Sequence, residues 1–225
     1  VARASVNDPT EVINQIRALP RTDATVSWPA VIEAAKMPYE TPLRDGLLRL
    51  AVFGGSQGAH RINMTVVEAL SYLARKEQLY FIHQTGAADE QTVTAAYQRE
   101  GIAARVQSFF RHMAPLYKRA DLIICRAGAT TVAEVMTLRK AVIFILFPFA
   151  ADNHQVLNAD TLAREGAAEM ILEKNLNARG LGRRIDYYAA HPEARETMAT
   201  KAGQLGHPEA AKAIVDDCYQ LIAYP

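Results

Sequence analysis

Cysteine is almost missing from this 225-residue chain: only Cys125 and Cys218 occur, far apart in sequence. Neither a disulfide framework nor a thiolate metal spacing can be built from them, which fits a reducing compartment. Cys125 ends an apolar run and reads as a buried thiol. An excess of one charge is also lacking. The 25 Lys and Arg nearly balance the 24 Asp and Glu, for a net charge of +1, so nothing points to a nucleic-acid partner. Long apolar runs are absent as well: the longest, 141–151, is too short to span a bilayer. No secretory signal pattern opens the chain, which starts with Val1 rather than Met, as a fragment or a processed chain does. His60, His83, His112, His191 and His207 show no mutual metal-ligand spacing and read as structural. There is no Walker loop, no G-x-G-x-x-G and no G-x-S-x-G, and hence no motif for triphosphate hydrolysis, dinucleotide binding or a serine-hydrolase elbow.

What is present is a large apolar fraction, 50% of residues, enough for a sizeable core. From Leu48 onward strand and helix patterns alternate. Strands are expected at 48–53, 79–83, 105–109, 122–125, 142–146 and 169–172. Helices are expected at 59–75, 90–100, 113–119, 131–138, 155–164, 178–189, 193–202 and 209–223. Ile62, Val66, Ala69, Leu70 and Leu73 fall at helical spacing. Leu122-Ile123-Ile124 is a continuous apolar run, as in parallel strands covered on both faces. The expected fold is therefore α/β, a Rossmann-like doubly wound parallel sheet over 48–225. Residues 1–47, with Pro9, Pro20 and a loop-like 38–46, read as an atypical or truncated amino-terminal segment and linker.

Two short stretches carry the chemistry. Gly54-Gly55-Ser56-Gln57-Gly58 follows the first strand, and Arg126-Ala127-Gly128-Ala129-Thr130-Thr131 follows the fourth. A small-residue turn from strand into helix gathers free backbone N–H groups at the positive end of a helix dipole, which attracts phosphate. Two such turns in one domain suggest a diphosphate site and hence a nucleotide sugar. The alternative for the first is a tight turn without a ligand. Glu134, one helical turn on, suits a ribose diol. Its alternative is a capping box, because Thr131 to Glu134 has the T-x-x-E spacing. A third stretch, Asp152-Asn153-His154-Gln155, follows a buried strand and offers side chains for sugar hydroxyls, or a helix cap.

These motifs, in this order and spacing, resemble the carboxyl-terminal half of the MurG family, the bacterial N-acetylglucosaminyltransferases of peptidoglycan synthesis. The resemblance runs from about Pro29 to the end and includes 54–59, His83-Gln84-Thr85-Gly86, 109–113, 120–134 and 152–159. It implies one half of a GT-B glycosyltransferase, the half that binds UDP-N-acetylglucosamine. By position, Gly55, Ser56 and Gln57 would meet the diphosphate, and the backbone of Phe110 the uracil. Ala129, Thr130, Thr131, Val132 and Ala133 would form the phosphate-facing helix start, and Glu134 would hold the ribose. His154 and Gln155 would meet the sugar, His154 standing where some relatives have Gln.

The implied reaction is inverting transfer of N-acetylglucosamine to a lipid-linked muramoyl-pentapeptide, with UDP leaving. The motifs call for no cofactor and no metal. The implied location is cytoplasmic, peripheral on the inner face of the bacterial plasma membrane. Nothing in 1–28 matches the family's acceptor domain with its presumed catalytic His, so no catalytic residue is identified in this chain. Trp28 stands where the family has the Arg expected near the uracil. The acceptor would be reached through a missing amino-terminal domain, and self-association is expected through the surface that domain would cover. A second reading is a partner-dependent or non-catalytic nucleotide-sugar-binding subunit.

Overall fold

Six strands form one all-parallel sheet: β1 (Leu48–Phe53), β2 (Leu79–Gln84), β3 (Ala103–Gln107), β4 (Leu122–Cys125), β5 (Ala141–Leu146) and β6 (Glu169–Leu172). They belong to a computed structural model that describes residues 47–55, 59–147 and 154–207, with 209, 210, 213 and 216. Up to residue 207 these lie within one compact unit, Val26–His207. The helices are α1 (His60–Ala69), α2 (Glu90–Arg99), α3 (Ala114–Arg119), α4 (Ala129–Thr137), α5 (His154–Arg164), α6 (Ala178–Ala190) and α7 (Pro192–Gln204).

The strand order is β3-β2-β1-β4-β5-β6. From β1 the chain steps outward to β3, crosses back to β4, and then steps outward the other way. Right-handed crossovers on the two halves put their helices on opposite faces. The apolar residues divide accordingly. Leu50, Val52, Leu122, Ile124, Ile143 and Ile145 face a core completed by Ile62 and Val66 of α1 and Leu181 and Ile185 of α6. Ala51, Phe53, Ile123, Cys125, Val142 and Phe144 face a second core with Leu116 of α3, Val135 of α4 and Leu162 of α5. Each Val, Leu, Ile or Phe among them contributes roughly 1.5–3 kcal/mol by leaving water. With both faces covered, a strand such as Ala141–Leu146 is buried at every position and carries no polar residue.

β1, β4 and β6 occupy the spans expected from the apolar runs. β3 begins two residues earlier than expected and ends at Gln107, the register partner of Gln84. Ala103-Ala104 give little strand signal, while the aromatic pair Phe109-Phe110 mimics one. The expected helix 59–75 stops at Ala69 and continues as a 3-10 turn, Leu70–Tyr72. There Leu73 N–H bonds to Leu70 carbonyl, and the Asp186 carboxylate of α6 takes the Ala74 N–H at 3.2 Å. The expected helix at 209–223 falls largely outside the described residues.

At the amino ends of the strands, Arg49 and Asp121 clasp β1 to β4. Asp121 Oδ2 accepts from the Arg49 backbone N–H and from Nε, both at 2.9 Å, and Oδ1 accepts from a guanidinium nitrogen at 3.0 Å. The carboxyl ends of the same strands run into the two glycine-bearing turns.

Candidate functional site

β1 and β4 are adjacent, parallel and in register, with Phe53 opposite Cys125. Strand neighbours lie about 4.8 Å apart, so the two glycine-bearing turns leave the sheet side by side. This is also where the strand order reverses, the crevice in which open α/β sheets take ligands. The turn after β1 passes through Gly54 and Gly55. Gly55 has φ +87°, a left-handed conformation that favours glycine. Ser56 and Gln57 lie outside the described residues.

The turn after β4 enters α4 with Gly128 as N-cap (φ −66°, ψ 147°), and Val132 N–H bonds to Gly128 carbonyl at 2.9 Å. No side chain caps this helix. Thr131 is therefore its third residue rather than its cap, and the capping box does not form. Ala129 and Thr130 are exposed, Thr131 and Ala133 half-buried, and Val132 buried. The first-turn N–H groups of α4 and the positive end of its dipole thus point out of the crevice edge. The Arg126 guanidinium turns the other way: it donates to Ile145 carbonyl at 3.0 Å, pairs with Glu173, and sits 5.3 Å from the Phe147 ring centroid. Its charge is matched inside the fold, so the anion-attracting groups of this turn are backbone N–H and hydroxyl.

Glu134 is buried, 8% exposed. Burial pushes its carboxyl above the usual range, and a hydrogen bond from the Tyr117 hydroxyl works against that rise. Tyr117 is itself buried, bonds to both Glu134 and Thr131, and has its phenol pushed far up by burial and then by the Glu134 charge. The Phe53 ring packs against it, centroids 5.4 Å apart. Thr131, Tyr117 and Glu134 form a short polar chain between α4 and α3, in a setting poor in water. Tyr117 is not distinctive in sequence; only the fold brings it to Glu134.

On the other side of β1, Phe110 is buried and its N–H donates to Gln84 Oε1 at 2.9 Å. A base meeting this backbone meets an N–H already engaged. Behind the glycine turn lies a buried polar network. Asn63 of α1 donates to Thr85 carbonyl (2.8 Å) and Asp89 Oδ2 (2.7 Å). Its Oδ1 must then accept from His83 Nε2 at 3.0 Å, so His83 Nδ1 accepts from the Tyr97 hydroxyl, also at 3.0 Å. Burial lowers the His83 pKa to about 3, against the opposing Asp89 charge. His83 is thus structural and neutral, as its sequence context implied. Burial alone would raise the Asp89 carboxyl, but bonds from Asn63 and His60 outweigh that and hold it below its usual range.

Residues 49–214 match the model of the glycosyltransferase family 28 C-terminal domain. The chain belongs to glycosyltransferase family 28. It is 50% identical over 175 residues to the UDP-N-acetylglucosamine--N-acetylmuramyl-(pentapeptide) pyrophosphoryl-undecaprenol N-acetylglucosamine transferase of Anaeromyxobacter sp. (strain Fw109-5), covering 77% of this chain and 46% of that one. The namesake from Trichlorobacter lovleyi is 46% identical over 197 residues, 87% of this chain and 51% of the relative. Among solved structures, Acinetobacter baumannii MurG superposes with TM-score 0.70 at 31% identity, over 87% of this chain and 54% of that chain. A UDP-GlcNAc 2-epimerase from Neisseria meningitidis, at 14% identity and TM-score 0.53, shares the fold alone. The chain spans about half the length of the curated relatives it matches.

Within this family 28 domain, β5 leads to the third sequence motif. Positions 148–153 lie outside the described residues, Asp152 and Asn153 among them, as does the side chain of His154, whose backbone opens α5. Gln155 is half-buried, and its Oε1 accepts from Phe147 N–H at 3.3 Å. Asn158 donates to Ala127 carbonyl at 3.2 Å, tying α5 to the turn after β4. Among the described residues no three His, Cys, Asp or Glu side chains form a metal-holding group, and no helix is long and apolar enough to cross a membrane.

Proposed function

We propose that 48–225 is the donor-binding domain of a hexosyltransferase and holds UDP-N-acetylglucosamine at the carboxyl ends of β1 and β4. The carrying observation is the pair of small-residue turns on two adjacent, in-register strands at the switch point. The diphosphate would lie across Gly55, Ser56 and Gln57 on one side and the α4 start, Ala129 to Ala133, on the other. Glu134 would accept from the ribose hydroxyls, the Phe110 segment would border the uracil, and His154 and Gln155 would meet the sugar.

In the complete enzyme the acceptor hydroxyl would attack the sugar C1 as the bond to UDP breaks, inverting the centre. Charge grows on the departing phosphate, and first-turn N–H groups already aimed there favour that change more than the ground state. The acceptor, a lipid-linked muramoyl-pentapeptide as the relatives' names state, and the base that takes its proton are assigned to the family's other domain. A lipid-linked acceptor would bring the protein to a membrane surface, and on this reading it is peripheral on the cytoplasmic face.

Calorimetry with UDP-N-acetylglucosamine, UDP-glucose and NAD tests the proposal. UDP-N-acetylglucosamine is expected to bind most tightly and NAD not at all; NAD binding, or no uridine-nucleotide binding, would overturn it.

A further inference from the structure

We infer that Gln84 is a positioning residue of this site: its side-chain amide ties the glycine turn after β1 to the Phe110 segment after β3. The two halves of a uridine diphosphate, phosphate and base, then meet one pre-set unit. The inference rests on the donor-site reading above and assigns that site a residue outside its contact set.

Gln84 ends β2 and is buried, 3% exposed, with Phe53 opposite it on β1 and Gln107 on β3. β1–β2 pairing stops at this register. Past it, Gln84 Nε2 donates to Gly55 carbonyl at 3.0 Å, while Oε1 accepts from Phe110 N–H at 2.9 Å. The partners lie 29 residues before it and 26 after it in sequence. Both are backbone groups. Gly55 is in a left-handed conformation, and fixing its carbonyl fixes the plane of the peptide leaving it, because the peptide unit is rigid. The Phe110 ring is held in turn by the Arg105 guanidinium, 5.1 Å from its centroid. On the β3 side, Gly86 N–H bonds to Ser108 carbonyl at 3.0 Å, so that half of the crossing is also zipped by backbone.

The bridge needs one donor and one acceptor on the same planar group. A carboxamide has both, an ionised carboxylate has only acceptors, and a thioether has neither in useful strength. A group that sets the spacing of two subsites costs most, when lost, for a ligand that spans them. Ligands touching one subsite feel it less.

The test measures UDP, uridine and inorganic pyrophosphate affinities of the full chain by NMR titration, for wild type and Gln84→Met, with thermal unfolding as the folding control. UDP is expected to weaken about tenfold, an ordinary size for coupling between sites, with uridine and pyrophosphate changing less than about threefold. Gln84→Glu supplies a second readout. At pH 8 its carboxylate accepts from Phe110 but cannot donate to Gly55. Its UDP affinity relative to wild type should recover as pH falls and the carboxyl gains a proton. Unchanged UDP affinity, equal losses for all three ligands, or a pH-independent ratio for Gln84→Glu would overturn the inference. Failure of the wild-type chain to bind UDP would instead remove the donor-site reading and the bridge's role with it.

Discussion

Glu134 is a carboxyl kept where a carboxyl is costly. Burial raises its pKa, and the Tyr117 hydroxyl offsets part of the rise. A folded-state pKa above the unfolded one means that the group favours folding while protonated and that this contribution is lost as pH rises through the raised value. Replacing it with Gln removes the charge and keeps the shape. Glu134→Gln is therefore expected to raise the unfolding temperature at pH 8 and to weaken UDP by roughly 1–3 kcal/mol, the worth of hydrogen bonds to a charged acceptor. Calorimetry and thermal scans on the same sample check both signs; a variant that loses stability and keeps affinity contradicts the ribose role. His83 works the opposite way. Its pKa of about 3 lies below the unfolded value near 6.5. Between those values the unfolded chain holds a proton that the folded one lacks, so stability falls with acid by roughly 1.4 kcal/mol per pH unit. Urea titrations at pH 7, 5.5 and 4.5 should show a shallower loss for His83→Gln than for wild type.

At the scale of elements, the sheet separates its two edges by role. The Arg49–Asp121 clasp holds β1 and β4 at the amino ends, and the two turns open at the other end. Five residues of strand put the clasp roughly 16 Å from the turn after β4. Asp121→Asn leaves the buried Arg49 guanidinium without its bidentate carboxylate. It is expected to cost about 3–5 kcal/mol of stability while UDP affinity stays unchanged, measured by urea unfolding and calorimetry. Loss of affinity in a folded variant would mean that the clasp edge belongs to the site. The elements differed in how well the sequence revealed them. Apolar runs such as Leu122–Cys125 are read directly because both faces are covered and turns bound them. The start of α4 is harder to read: a T-x-x-E spacing fits either a capping box or a carboxylate facing a ribose, and the Gly128 cap, three residues before Thr131, excludes the first. Gln84 and Tyr117 were illegible as site residues, since their partners are set by sheet register and helix packing rather than by neighbours in sequence.

At the scale of the whole molecule, β1 and β4 are neighbours although two strands and the helices α1, α2 and α3 separate them in sequence. The alternating pattern predicts a doubly wound sheet, but not this strand order, because right-handed crossovers allow more than one. The order brings together turns seventy residues apart that the sequence displayed only as two similar motifs. The most direct measurement is backbone NMR of the chain titrated with UDP. Shifts are expected to concentrate at Gly54, Gly55, Phe110 and Ala129 to Glu134, with Arg49 and Asp121 at the far end of the strands unmoved. Shifts centred on that far end, or confined to one of the two turns, would contradict the donor-site reading.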